Sequence, residues 1–327
     1  GSVGSPLPIG LKGMARYIFG GIAFVMPSDH MYDFQMLSMV DPRWLALGSD
    51  SDRLTIGAGL GFKLGHWSMG ASLSLIPRVE ADIVVNLEDS QGHNQVGVQV
   101  DARISPVVGV SYSGISNLML GVSYRHENRG EVHVPVDVDA DAVRLLSQIS
   151  GAISFSPAVL SGGLEYHLSD SMAVLGQADW IRYSSYRQIS PSVALFDSDG
   201  VDSLGTSPPD AGLRDAAGAR LGLEWKGRLL VLRGGYGLLT DPVPEQTGST
   251  NLLAGIRHIF SLGGKVKVLD SRKIEPGLIA IEWDLQVQRT AATVHYKDEV
   301  LNGNPGYPSI EAGGTSLFAY LGLKLEF

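Results

Sequence analysis

The sequence predicts an all-β fold, a transmembrane antiparallel β-barrel of 12–14 strands that forms a single outer-membrane domain over residues 1–327. Three observations predict it. The chain is 44% hydrophobic and only 18% charged, below the roughly 25% charged of a soluble domain. It nevertheless lacks any run of about 18 apolar residues that could make a transmembrane helix. Segments of about ten residues alternate apolar and polar positions, which is the length a tilted strand needs to cross hydrocarbon. The connections between them alternate short and long. Only a closed sheet satisfies its backbone in lipid without helices.

The alternation can be followed along the chain. RLTIGAGLGFKL sets Leu54, Ile56, Ala58, Leu60 and Phe62 against Thr55, Gly57, Gly59, Gly61 and Lys63. WSMGASLSL sets Trp67, Met69, Ala71, Leu73 and Leu75 against Ser68, Gly70, Ser72 and Ser74. ARISPVVGVSY, AGARLGLEW, LVLRGGYG and LIAIEWDLQV repeat the pattern, and SLFAYLGLKLEF carries it to the C-terminus. Aromatic residues fall near segment ends, at Trp67, Tyr112, Trp180, Trp225, Trp283 and Phe327, as in the girdles of membrane barrels. Short connections are expected near 12–16, 64–67, 113–117, 168–172 and 226–228. Long ones are expected near 27–52, 79–100, 127–156, 189–213, 241–251 and 290–315, and residues 140–154 read as a short helix with Val143, Leu146, Ile149 and Ile153 on one side. Short periplasmic turns and long outer loops produce this rhythm.

Composition also excludes several functions. Cys is absent, which removes thiol redox and thiolate metal chemistry and suits an exported chain without disulfides. A net charge of −9 opposes nucleic-acid binding. His126, His133, His167 and His258 show no metal-ligand spacing, and no Gly-x-Ser-x-Gly elbow occurs. The run VDVDAD lacks the Gly turn and distal Glu of a calcium loop. No enzyme, cofactor or metal site is expected.

From Phe155 onward the motifs resemble the FadL/TodX family of outer-membrane transporters for fatty acids and other hydrophobic compounds. The resemblance rests on Pro157, Gly163, Tyr166, Asp179, Trp180, Ser184 and Tyr186 in SPAVLSGGLEYHLSDSMAVLGQADWIRYSSYRQI. It continues in Arg214-Asp215, Gly222, Arg233 to Tyr236, the Asp-Pro-Val-Pro of Asp241 to Pro244, and the terminal Phe327. LTIGAGLGFKLGHWSMGASLSLIP is similar with less specificity. The family's N-terminal plug and first strand are not recognisable, so the chain resembles a 14-stranded family from its second strand on. The resemblance implies passive uptake of hydrophobic small molecules across the cell outer membrane. The alternative is a structural or partner-binding barrel, its lumen filled by side chains or by another protein that supplies the missing plug. The partners implied are the lipid bilayer, lipopolysaccharide, and a hydrophobic ligand or detergent.

Three groups of residues are candidates for the site. The polar alternate positions Arg103, Arg125, Asp179, Arg220, Arg233 and Arg257, with Glu165, His167, Gln177, Glu224, Glu282 and Asp284, should line the lumen. They would serve either as a mutually paired network, since buried charges need partners, or as a clamp for a carboxylate or headgroup. The segment 32–47 is unusually apolar for an outer loop, with Tyr32, Phe34, Met36, Leu37, Met39, Trp44 and Leu45. It reads as a hydrophobic loop that takes up ligand or as one folded over the barrel mouth. Gly20, Gly21 and Pro27 fall where the family carries an inward kink with a lateral opening, and such residues permit bulges and lost ladder bonds.

Overall fold

The structure, a computed structural model, describes residues 2–7, 17–25, 42–45, 55–76, 79–85, 94–100, 103–140, 143–186, 190–197, 200–202, 211–271, 277–298, 304 and 306–326. A 13-stranded antiparallel sheet dominates it, each strand paired with its neighbour in the chain. The strands are β1 Ser2–Leu7, β2 Tyr17–Val25, β3 Thr55–Leu64, β4 Trp67–Ile76, β5 Arg103–Ile115, β6 Leu118–Arg125 and β7 Ala158–Ser169. They continue as β8 Met172–Arg182, β9 Ala216–Lys226, β10 Leu230–Leu239, β11 Arg257–Ser271, β12 Gly277–Tyr296 and β13 Ser309–Glu326. Among the described residues β1 and β13 are the two edges and do not pair. With an odd number of antiparallel strands, these edges run in the same direction. No described helix is long and apolar enough to cross a membrane.

Register fixes the two faces. Leu221, Tyr236, Phe260, Val287 and Leu317 lie opposite one another in turn across five strands. The next row holds Gly222, Gly235, Ser261 and Gln286. The apolar row faces outward, with Leu221 65% and Leu317 67% exposed. Polar residues on the other face are buried: Ser105 at 2%, Asp179 at 7%, Glu224 at 8%. A soluble sandwich has the opposite arrangement, so hydrocarbon is the medium this surface suits. Trp67 and Tyr112, with ring centroids 4.6 Å apart, and exposed Trp225 form a girdle at the short-turn end. The turns there are tight. Gly65 and Asn117 adopt positive φ of 58° and 60° in the β3–β4 and β5–β6 turns, where Gly and Asn are the residues that tolerate it.

The other end departs from expectation. The long connections near 79–100, 127–156 and 189–213 contain a second, six-stranded sheet. Its order is Gly200–Asp202, Ser190–Asp197, Val143–Ser156, Asn128–Ala140, Asn94–Val100, Val79–Val85. The helix expected over 140–154 is therefore a strand. Val143, Leu145, Ile149, Ile153 and Phe155 also alternate, and thirteen ladder positions with Asn128–Ala140 outweigh a marginal single helix. The β6–β7 hairpin and this one keep one register, from Arg125 opposite Val159 to Asn128 opposite Ser156. The barrel wall is thus extended beyond its rim. β12 likewise continues to Tyr296 and β13 begins at Ser309, so most of the loop expected over 290–315 is strand.

A small cap core closes the same end. Tyr183, Tyr186, Ala211, Leu213, Ala216, Val243 and Leu252 are buried together, with Leu45 and Phe155 packed against them. Around it runs a polar clasp. Lys297 donates to the carbonyls of Gly248 and Thr250 at 3.0 and 2.8 Å. Gln246 bonds Ala211 O at 3.1 Å and accepts from Thr250 Oγ1 at 2.6 Å.

Candidate functional site

The inward face encloses two spaces, of ≈ 750 and ≈ 810 Å³, within the range of small-molecule cavities. They differ in chemistry. The larger is lined over β2–β7 by Phe19, Gly21, Gly59, Gly61, Ser68, Gly70, Ser72, Val107, Gly109, Ser111, Gly121, Ser123, Ser161 and Gly163 from the inward positions. That wall is almost all Gly and Ser. It is one backbone thick and tightly built: a Cβ on Gly59 would meet Ser72 Cβ at 2.8 Å.

Charges gather on the opposite wall, β7–β12, where alternate positions turn long side chains into the smaller space. Asp179 Oδ1 accepts from Ser161 Oγ at 2.6 Å and from Gln177 Nε2 at 2.7 Å. Its Oδ2 lies 3.2 Å from Arg220 Nη1, a charge contact without hydrogen-bond alignment. Glu224 accepts from Arg233 Nε at 2.6 Å and pairs with Lys226 Nζ at 2.7 Å. Lys265 faces Glu282 at 3.6 Å, and His167 faces Glu165 at 3.0 Å. These contacts pair the charges among themselves, as the buried carboxylates of Asp179 and Glu224 require.

At the long-connection end the balance changes. Tyr183, on the short 3-10 turn Tyr183–Ser185 after β8, is buried, and burial pushes its hydroxyl above the usual range. Arg257, which hydrogen-bonds that hydroxyl, and Arg125 oppose the shift. Neither arginine has a carboxylate within ion-pair distance among the described residues. Arg257 lines both the smaller space and a small cleft under the cap, which it shares with Trp44, Leu45, Tyr183, Leu253 and Thr290. It therefore stands where the mouth meets the lumen.

The structure brings some expected site residues together and separates others. Asp179, Arg220 and Arg233 belong to the paired wall, and Arg125 and Arg257 to the mouth. Arg103 takes an inward register position opposite Ile76. Arg43 and Trp44 pair in a short parallel ladder with Leu252 and Leu253, Leu253 opposite Trp44, and Leu45 N–H donates to Leu253 O at 2.9 Å, so Trp44 and Leu45 are both fixed there. Both help build the cap over the mouth. Tyr32, Phe34, Met36, Leu37, Met39 and Pro27 lie outside the described residues. At Gly20-Gly21, β2 pairs with β1 and β3 without a register break, Gly20 opposite Leu60 and Gly21 opposite Gly59. Glycine permits a bulge but does not impose one. Tyr183, His295 and Lys297 were missed; no periodicity marks residues that act in a cap. No group of three or more His, Asp or Glu able to hold a metal occurs among the described residues.

No protein-family model and no curated protein sequence matches the chain. Solved structures do. A Pseudomonas aeruginosa FadL homologue superposes with a TM-score of 0.54 at 15% identity, over 99% of this chain and 76% of that one. The chain has a FadL-type fold. The P. putida toluene transporter TodX gives 0.49 at 12% identity, over 99% and 81%, and the Ralstonia pickettii toluene transporter TbuX gives 0.47 at 12%, over 95% and 78%. The FadL-type fold accounts for the single sheet that follows chain order, with an apolar outside and a polar inside.

Proposed function

We propose that the chain is a passive outer-membrane channel of the FadL/TodX kind, taking up hydrophobic small molecules such as long-chain fatty acids or hydrocarbons. One observation carries this reading. The Gly/Ser wall of β2–β7 leaves ≈ 810 Å³ of space with no charge on it, while the charges opposite are mutually paired. An apolar solute sliding along β2–β7 displaces water without breaking an ion pair, and each Å² of apolar surface it buries contributes about 25 cal/mol. At the mouth, Arg125, Arg257 and the Tyr183 hydroxyl supply donors that fit a carboxylate headgroup. The long-connection end faces outward, and the apolar segment 32–47 takes up the ligand there, held to the cap through Trp44 and Leu45. Inward, the solute leaves by the lumen or through the wall. Gly61, Gly70 and Gly109 line the lumen and also an apolar hollow of ≈ 690 Å³ on the lipid side, so one backbone layer separates the two.

The test is uptake of radiolabelled oleate and toluene by cells that lack their own hydrocarbon channels and express this chain. Saturable uptake, reduced when 32–47 is deleted, supports the reading. Uptake equal to that of empty cells overturns it in favour of a structural or plugged barrel, and single-channel conductance identifies a blocked lumen.

A further inference from the structure

The outward face of the 13-stranded sheet carries two cationic side chains among its described positions, Arg182 and Arg289, and one anion, Glu311, farther out on β13 opposite Val294. Both arginines stand one step past the apolar stretch of their own strand, and both lie at the long-connection end. On β12 the outward positions Ile281, Trp283, Leu285 and Val287 precede Arg289. On β8 Met172, Val174 and Trp180 precede Arg182. The short-turn end shows Trp67, Tyr112 and Trp225 at the corresponding height and, among the described strand positions, no outward cation. In a chain with a net charge of −9, this placement is selective.

Each arginine shares its height on the wall with a Tyr-His pair, Arg289 on the neighbouring strand and Arg182 one strand further away. Arg289 lies directly opposite His258 on β11. His258 Nδ1 is bonded to the Tyr236 hydroxyl at 2.8 Å, with the two rings 6.2 Å apart. Arg182 lies opposite Ala158, whose other neighbour by continued register is His126. His126 Nδ1 is bonded to the Tyr124 hydroxyl at 3.1 Å, with the rings 6.2 Å apart. In both groups tyrosine fixes one ring nitrogen and leaves Nε2 for another partner. Arg289 is exposed and makes no ion pair among the described residues. Arg182 feels Asp215 electrostatically, but that carboxylate is engaged by the Ser184 N–H at 3.1 Å and by Trp180.

We infer that these two Tyr-His-Arg groups bind the phosphates of outer-leaflet lipid A, with Arg289, His258 and Tyr236 as the principal site. The chemistry fits. A phosphate at the hydrocarbon boundary accepts a bidentate guanidinium fork and an imidazole N–H. Its acyl chains run down the adjacent rows Phe260–Val287–Leu317 and Leu262–Leu285. The inference rests on the outer-membrane location proposed above and is independent of what the lumen carries.

The test uses the full chain in detergent, with native mass spectrometry counting bound hexa-acyl lipid A against the same lipid stripped of both phosphates. Wild type is expected to bind lipid A at least tenfold more tightly than the phosphate-free lipid. The double variant R182Q/R289Q should lose that tenfold preference and R182K/R289K should keep part of it, while R220Q, a lumen change, should leave it unaltered. Heat-modifiable gel mobility verifies that each variant folds. Equal binding of the two lipids by wild type, or an unchanged preference in R182Q/R289Q, overturns the inference. Oleate uptake by R182Q/R289Q should match wild type, so the lipid site and the channel fail or succeed separately.

Discussion

Gln246 donates its backbone N–H to Nδ1 of His295 at 3.2 Å. This bond ties the connection over 241–251 to β12 where that strand has left the hydrocarbon band. His295 is 2% exposed. With Nδ1 accepting, the ring proton sits on Nε2, which has no hydrogen-bond partner among the described residues.

The clasp should therefore weaken in acid. Burial pushes the His295 imidazole below its ordinary 6.5, and Lys297 pushes the same way, against Asp241 and Glu245. As pH falls through 6.5 the unfolded ring takes up a proton and the folded one does not, so stability is full above 6.5 and declines toward the lower folded value. Backbone amides of 241–251 should exchange faster at pH 5 than at pH 8 after correction for intrinsic rates, and H295N should remove most of the difference. Equal protection at both pH values would count against the clasp.

Lys297→Met should loosen the same connection by a separate route. It removes the two bonds to Gly248 O and Thr250 O, each charge-assisted bond contributing about 1.5–3 kcal/mol. Burial already pushes the Lys297 ammonium down, so desolvation offsets part of that sum. Limited proteolysis should cut within 241–251 in the variant while the barrel stays heat-modifiable.

Leu252→Ala tests the cap core. Leu252 is 2% exposed, and truncating so buried a leucine costs about 2–5 kcal/mol. Its ladder partner is Arg43, with Leu253 opposite Trp44, so protection of 43–45 should fall in hydrogen exchange. Protection unchanged from wild type would mean that Trp44 and Leu45 are held by something else.

Glu224→Gln tests the paired wall. It removes the anion between Arg233 and Lys226. Both cations are about half exposed, so the stability loss should stay near 1 kcal/mol. The electrical effect should be larger: reversal potentials in a salt gradient should shift toward anion preference. An unshifted potential would place these groups off the conduction path.

Gly61→Leu with Gly109→Leu tests the smooth wall. Added Cβ atoms there meet nothing nearer than 3.4 and 3.5 Å, so the barrel should fold. The new side chains enter the ≈ 810 Å³ space. Oleate uptake should drop severalfold, whereas matching changes at outward Gly162, where a Cβ meets nothing, should leave it intact.

The barrel was legible because strand alternation leaves a signature every second residue, and Leu54 to Lys63 carry it without exception. The second sheet was not. EVHVPVDVDA alternates as cleanly as any barrel strand, but its Asp residues resemble a solvated loop, and VRLLSQIS fits helix and strand alike. Within the lumen, sequence identified Asp179, Arg220 and Arg233 by parity, and pairing supplied their partners. Parity could not find His295, Lys297 or Tyr183, because their roles depend on distant chain segments meeting over the mouth. Nor could glycines announce that β2 keeps one register through Gly20 and Gly21.

The division of the lumen into a bare half and a charged half restricts how such a protein can diversify. The Gly and Ser positions of β2–β7 that line the larger space are already near their minimum, so substitution there can only constrict the bore. Adjustments of charge, polarity or fit fall to the charged positions, mostly on β7–β12, where long side chains can be shortened, exchanged or inverted in sign. Lineages descended from this chain should therefore accumulate differences on one flank of the pore and keep the other nearly invariant.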